Sequence, residues 1–356
     1  MRRPLVCLLL LFCAGICFAS YASPPLTFIY CLAVITYMAC IFLAEQKPAY
    51  IALLFITVFL IGALRYSADN KRPNRQYVLD GPLLSLKRSA QAILYRHLPP
   101  VPASIVEAMV LGEKERISPK IYRSMMKTGT VHILVVSGFN VGIVAFLAHL
   151  VLKVLRIARK ARIFIIVILL IVYCLLTGAS NPVIRATIMG NVFLAAYFFK
   201  READIYNSLS IAAGVILLAS PRQLFNIGFQ LSFASVLALV WLYPKIRPVF
   251  RVESLRPRPL KYLGESLLVS FSAWLGTAGI IAFYFKLISP VTVLANIIIV
   301  PLAALLTLSG FTLIFIGILL PQLAQSFASV IQLLAILLLQ ANILLSGLPF
   351  ACLSLL

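Results

Sequence analysis

Residues 128–144 read Thr128-Gly-Thr-Val-His-Ile-Leu-Val-Val-Ser-Gly-Phe-Asn-Val-Gly-Ile-Val144. The run is apolar enough to enter a bilayer, yet it carries His132, Ser137, Gly138, Asn140 and Gly142. Polar groups and glycines are costly or disruptive in hydrocarbon unless they line a cavity or meet another helix. The stretch therefore marks the working part of a membrane protein.

Composition agrees with that reading. Of 356 residues, 62% are hydrophobic, against about 45–50% in soluble domains. The excess lies in runs of roughly 18 residues or more, enough to cross about 30 Å of hydrocarbon. Spans are expected near 5–22, 26–44, 49–66, 131–152, 163–178, 183–199, 205–219, 223–243, 266–286, 291–320 and 322–345. The span 205–219 is short, so the expectation is an all-α polytopic membrane protein with about 10–11 transmembrane helices. The span 291–320 is long for one plain crossing and holds Pro301, which points to a broken or re-entrant helix. The opening Met-Arg-Arg-Pro and the apolar residues after it imitate a signal peptide, but two further apolar spans follow at once, which favours a retained first helix.

Net charge is +21, from 31 Lys+Arg against 10 Asp+Glu. Either membrane topology or a polyanion partner accounts for such an excess. With the N-terminus inside, the short inner loops collect Lys153, Arg156, Arg159, Lys160 and Arg162, then Lys200 and Arg201, then a basic run from Lys245 to Lys261. The short outer loops hold at most Arg222 or Lys286. This matches the bias of cytoplasmic loops toward Lys and Arg. Residues 67–130 fall outside by parity although basic residues outnumber acids there; long loops escape the rule.

That long loop predicts short helices. Leu83, Leu86, Ala90, Ile93 and Leu94 share one helical face, which suggests an amphipathic helix at the membrane surface. A second helix is expected from Ser104, with Glu107 completing a capping box, to Gly112. A third is expected from Ser118 and Pro119 to Gly129. The seven cysteines lie in apolar segments without a Cys-x-x-Cys pair and read as small buried hydrophobes. No metal site and no cofactor are expected from these residues.

Several short motifs recur in one order. They are Met109-Val-Leu-Gly-Glu113, Ser118-Pro119, Thr128 to Leu134, and Ser137-Gly-Phe-Asn-Val-Gly142. Ser180-Asn-Pro182 with Arg185-Ala186, Phe229-Gln-Leu-Ser-Phe-Ala234, and Ser289-Pro290 leading to Val300-Pro301 follow. Together they resemble the competence domain of ComEC-type DNA uptake channels. Gly62-Ala63-Leu64-Arg65 also looks like the end of that family's N-terminal helices. The resemblance implies a three-helix membrane region at 1–66, a basic extracytoplasmic linker with an amphipathic helix at 67–104, a competence-type transmembrane domain at 105–345, and a C-terminal end at 346–356. It departs from the family in three ways. Ser67–Val101 is too short for the OB-like domain that members usually carry. With three histidines and no His-x-His-x-Asp-His cluster, a metallo-β-lactamase-like site is not expected in this chain. Asn140 stands where the family commonly has His.

The resemblance implies a channel subunit that passes single-stranded DNA across the bacterial cytoplasmic membrane, with no catalytic residues of its own. Candidate path-lining residues are His132, Ser137, Gly138, Asn140, Gly142, Asn181, Arg185, Gln230, Ser232 and Asn296. Arg185 reads either as a phosphate contact or as a side chain reaching for outer headgroups. The basic loop reads as a collector of polyanion or as a contact for anionic lipid. No Gly-x-x-x-x-Gly-Lys-Ser/Thr sequence is present, so an external motor would move the strand; the resemblance implies a cytoplasmic helicase-type motor and an extracytoplasmic DNA receptor as partners. Two alternatives stay open: a secondary transporter or flippase for a small or lipid-linked anion, and a non-conducting remnant of the family.

Overall fold

The computed structural model describes residues 4–42, 47–69, 80–198, 204–252, 256–349 and 351–354. Helices dominate. The only strands among the described residues are Leu287–Ile288 and Leu353–Ser354, paired antiparallel. The chain divides into two compact units, residues 1–76 with 191–230, and 77–190 with 231–356.

The first unit holds α1 (Pro4–Ala22), α2 (Leu26–Phe42), α3 (Lys47–Asp69) and α10 (Ile205–Ala219), followed by a 3-10 turn at Pro221–Phe225. α1 and α3 cross backbone to backbone. A Cβ on Gly15 would stand 1.9 Å from the Phe59 carbonyl oxygen, and one on Gly62 would stand 2.3 Å from that of Phe12. Glycines at a crossing are how apolar helices gain contact when lipid supplies no hydrophobic drive. Ala19, Ile29, Leu60 and Ala63 fill the space beside it. The end of α3 has a different task. Arg65 donates from Nε to the Leu218 carbonyl at 2.7 Å and from Nη2 to that of Ala219 at 2.8 Å. These carbonyls close α10, where backbone acceptors lack helical partners and a cation is favoured. Asp69 pairs with Arg65 and with Arg222.

The second unit is built around a short helix. It contains α4 (Gly81–His97), α5 (Pro100–Leu111), α6 (Pro119–Lys127), a 3-10 turn at Val131–Leu134, α7 (Gly138–Val154) and α8 (Arg159–Leu176). Residues 181–190 of α9 (Asn181–Phe198) and 231–241 of α11 (Ile227–Trp241) belong to it, with α12 (Tyr243–Ile246), α13 (Arg258–Phe285), α14 (Thr292–Leu319) and α15 (Pro321–Ser346). Every residue of α5 from Pro102 to Leu111 is buried, as expected of a helix apolar nearly all round. α14 makes room for its neighbours through glycine. Gly310 faces Val106 and Val110 of α5, and Gly317 faces Ile93 of α4.

Among the described residues, six helical segments are long and apolar enough to cross a membrane: α1, α3, α11 with α12, α13, α14 and α15. α2, α7 and α10 are apolar but shorter. α8 opens on Arg159, Lys160 and Arg162, and α9 carries Arg185. The molecule is a multi-pass membrane protein of helices, one of them interrupted. The expected span at 131–152 is the broken one: its 3-10 turn ends at Leu134 and α7 starts at Gly138.

Three expectations are corrected. α14 is not broken; it runs as one helix through Pro301, because a proline in a helix packed on neighbours removes a single backbone bond. Ser104 does not cap a helix: α5 starts earlier, at Pro100, and the Ser104 hydroxyl donates to the Val101 carbonyl. The buried face of α4 is turned by about one residue. Ala90 and Leu94 are buried as expected, but so is Lys87, while Leu86 is exposed. Lys87 goes inward because it pairs with Glu113. His149 of α7 is exposed. The glycine stops do fall where expected, with left-handed backbone at Gly112 (φ 81°) and Gly129 (φ 69°).

Candidate functional site

The polar groups inside the second unit gather around α5. Glu107 is wholly buried, and a carboxylate in such a place must be hydrogen-bonded or paired. Gln91 donates from Nε2 to its Oε1 at 2.7 Å, and the Tyr95 hydroxyl donates to its Oε2 at 2.7 Å. Arg116 approaches Oε1 at 3.4 Å and lies over the Tyr95 ring, 4.9 Å from its centre. Burial, and then the bond to Glu107, hold the Tyr95 phenol above its ordinary pKa, so it stays a donor. The beginning of α4 is tied to the same loop by Lys87 and Glu113.

The end of α5 is closed from two other helices. The last carbonyls of a helix have no internal donor. Here Asn140 of α7 donates from Nδ2 to the Met109 carbonyl at 2.8 Å, and the Tyr173 hydroxyl of α8 donates to that of Val110 at 3.0 Å. Asn140 is 1% exposed. Its amide caps the end of α5.

Thr128-Gly-Thr130 forms a second knot. The Thr128 hydroxyl donates to Asn342 Oδ1 at 2.6 Å, and the Thr130 hydroxyl approaches the same oxygen at 3.1 Å. Asn342 Nδ2 in turn donates to the Ser124 hydroxyl at 2.8 Å. Between the threonines, a Cβ on Gly129 would stand 2.1 Å from Thr292 Oγ1. Only glycine suits that spot, by space and by positive φ. The knot ties the ends of α6, α14 and α15 to the approach to α7.

The other candidate residues are spread through both units. His132 is exposed, with Nδ1 3.0 Å from the Gly129 carbonyl. Ser137 is half-buried, and Gly138 and Gly142 lie exposed on one face of α7, opposite Asn140. A Cβ on Gly142 would meet nothing within 4 Å, whereas one on Gly138 would be 3.6 Å from the Ala186 Cβ of α9. Asn181 is exposed at the start of α9. Arg185 is buried. Asn296 joins α14 to α13 by donating to the Ser270 hydroxyl at 2.9 Å, and its Oδ1 is buried without a partner among the described residues. Ser232 is half-buried. In the first unit, Gln230 donates from Nε2 to the Leu224 carbonyl at 3.1 Å. Among the described residues, no side-chain hydrogen bond joins any two of these ten.

Sequence reasoning missed Glu107 as a network centre, with Gln91, Tyr95 and Arg116 around it, and it missed Asn342. A signal for the first was present. Lys87, Gln91 and Tyr95 recur every four residues, a polar stripe along one side of α4. For Asn342, which meets residues over 200 positions away, a single sequence holds no signal.

Multiple apolar helices, an interrupted span and buried polar knots define a polytopic α-helical membrane protein. Residues 109–356 match the family model described as Competence protein. The chain belongs to the competence protein family. It is 31% identical over 246 residues to ComE operon protein 3 of Bacillus subtilis, covering 69% of this chain and 30% of that protein. It is 28% identical over 146 residues to competence protein ComA of Neisseria gonorrhoeae, covering 38% of this chain and 21% of that protein. An uncharacterized protein of Aquifex aeolicus is 28% identical over 204 residues, 57% of this chain and 45% of that protein. The chain thus spans less than half the length of the curated relatives it matches. No solved structure matches.

Proposed function

We propose that this chain is a channel subunit that passes single-stranded DNA across the cytoplasmic membrane during DNA uptake. The observation that carries the reading is the interruption before α7. Residues 135–137 leave helical geometry in the middle of an apolar segment, inside the region that matches the competence family. Non-helical backbone at membrane depth is tolerated where protein or a water-filled cavity receives it. The exposed face at Gly138 and Gly142, with open space beside Gly142, is where the strand would pass. Asn140, turned the other way, holds α7 against α5.

In this reading the N-terminus is cytoplasmic and the chain performs no chemistry. The strand is drawn by a separate cytoplasmic helicase-type motor and delivered by an extracytoplasmic receptor. The basic residues of 80–130 raise the local concentration of the polyanion, an effect that salt weakens. The test is transformation with labelled DNA in cells with and without this chain. Label in the cytoplasm should fall to background when the chain is removed. Undiminished cytoplasmic label would defeat the reading.

A further inference from the structure

Arg185 is 3% exposed, and its Nε and Nη1 have no hydrogen-bond partner among the described residues. A buried cation without a partner is destabilising. Its position makes matters worse. It stands in the second turn of α9, which begins at Asn181, close to the positive end of that helix's dipole. The first turn of α7 lies alongside, because Gly138 faces Ala186. Ser137, the residue capping α7, makes no side-chain cap bond. The starts of α7 and α9 therefore lie side by side, and Arg185 is the residue next to the one in contact.

Among the described residues, no acid of the second unit pairs with it. Glu107 is held by Gln91, Tyr95 and Arg116. Glu113 pairs with Lys87, and Glu265 with Arg247. Asp80 and Glu115 are exposed on other segments, and Glu253 lies outside the described residues. What fits is an oxyanion from outside the chain. The planar fork of Arg pairs with phosphate through parallel N–H donors.

We propose that Arg185 is the seat of a phosphate-oxyanion site in the second unit, and that phosphodiester groups of the transported strand occupy it in turn. The choice of strand over other phosphates rests on the channel reading above. An interior site that binds each phosphate briefly would offset the loss of hydration as the strand moves inward, and would do so without reading base identity.

The test uses the full chain in phosphatidylcholine nanodiscs, with an oligothymidylate and inorganic phosphate as probes and the thermal midpoint as readout. The wild type should be stabilised by the oligonucleotide, and phosphate should compete. Arg185→Met should raise the unliganded midpoint by a few degrees, because an unpaired charge is gone. It should also weaken oligonucleotide binding by on the order of tenfold or more. Arg185→Lys keeps the charge without the fork and should fall between. An Arg185→Met protein that is folded and binds the oligonucleotide like the wild type overturns the proposal. So does stabilisation that follows added phosphatidylglycerol and neither probe, which would make a lipid headgroup the occupant. In cells, normal import by Arg185→Met would overturn this site and leave the channel standing. Unchanged import without the chain would overturn the channel, while Arg185-dependent phosphate binding would keep the oxyanion site.

Discussion

In the first unit α1 and α3 meet backbone to backbone at Gly15 and Gly62. In the second, α5 is encircled by side chains that bond its polar groups one by one: Gln91 and Tyr95 on Glu107, Asn140 on Met109, Tyr173 on Val110. The first arrangement needs little more than small residues and a matched surface. The second needs specific partners from several helices. The contrast teaches where rigidity is placed. The elements around the interruption before α7 are pinned by directional bonds, and a polar interior holds a single arrangement only when its members are satisfied.

The comparison breaks most severely at Glu107. Glu107→Ala strands Gln91, Tyr95 and Arg116 around a hole, and should lower the unfolding free energy in mixed micelles by about 3–5 kcal/mol. A loss below about 1 kcal/mol would mean that the network contributes little. The first unit should respond to size instead. Gly15→Val forces a side chain against the Phe59 carbonyl and should cost about 2–3 kcal/mol. Gly214→Ala, where a Cβ meets nothing within 4 Å, should be neutral or stabilising by under about 1 kcal/mol. Equal effects from both would show that the close crossing is not what holds α1 to α3. Asn342→Leu removes the partner of Thr128, Thr130 and Ser124, and should cost about 2 kcal/mol. Asn140→Ala leaves one carbonyl unbonded and should cost about 1 kcal/mol, with little change in cytoplasmic label. A large loss of import at unchanged stability would instead put Asn140 on the strand's route.

Local signals were legible in the sequence. Apolar length predicted 5–22 where α1 runs Pro4–Ala22, and 322–345 where α15 runs Pro321–Ser346. Pro119 and Gly129 bracketed α6, because each works through the backbone of its own neighbourhood. Glu107 failed as a cap because its partners lie on another helix, and tertiary bonds override a local pattern that is only permissive. Lys87 failed for the same reason: charge suggests solvent until a partner such as Glu113 is known. Among the site candidates, Arg185 was singled out by the cost of a charge in hydrocarbon. The structure buries it, with no partner for Nε and Nη1 among the described residues. Asn140 shows the reverse case. A polar residue in a membrane helix suggested a passage, and the structure turns it toward a helix end.

The central claim is that a strand crosses the membrane through this chain. Its most direct measurement is the flux of a labelled oligothymidylate into proteoliposomes holding the purified chain, with a lumen-positive potential imposed to pull the polyanion. Each 100 mV supplies about 2.3 kcal/mol per charge moved across. The account predicts lumenal, nuclease-protected label that rises with the potential and drops with Arg185→Met. Label no higher than in vesicles carrying an unrelated membrane protein, with the chain shown to be folded, would contradict it.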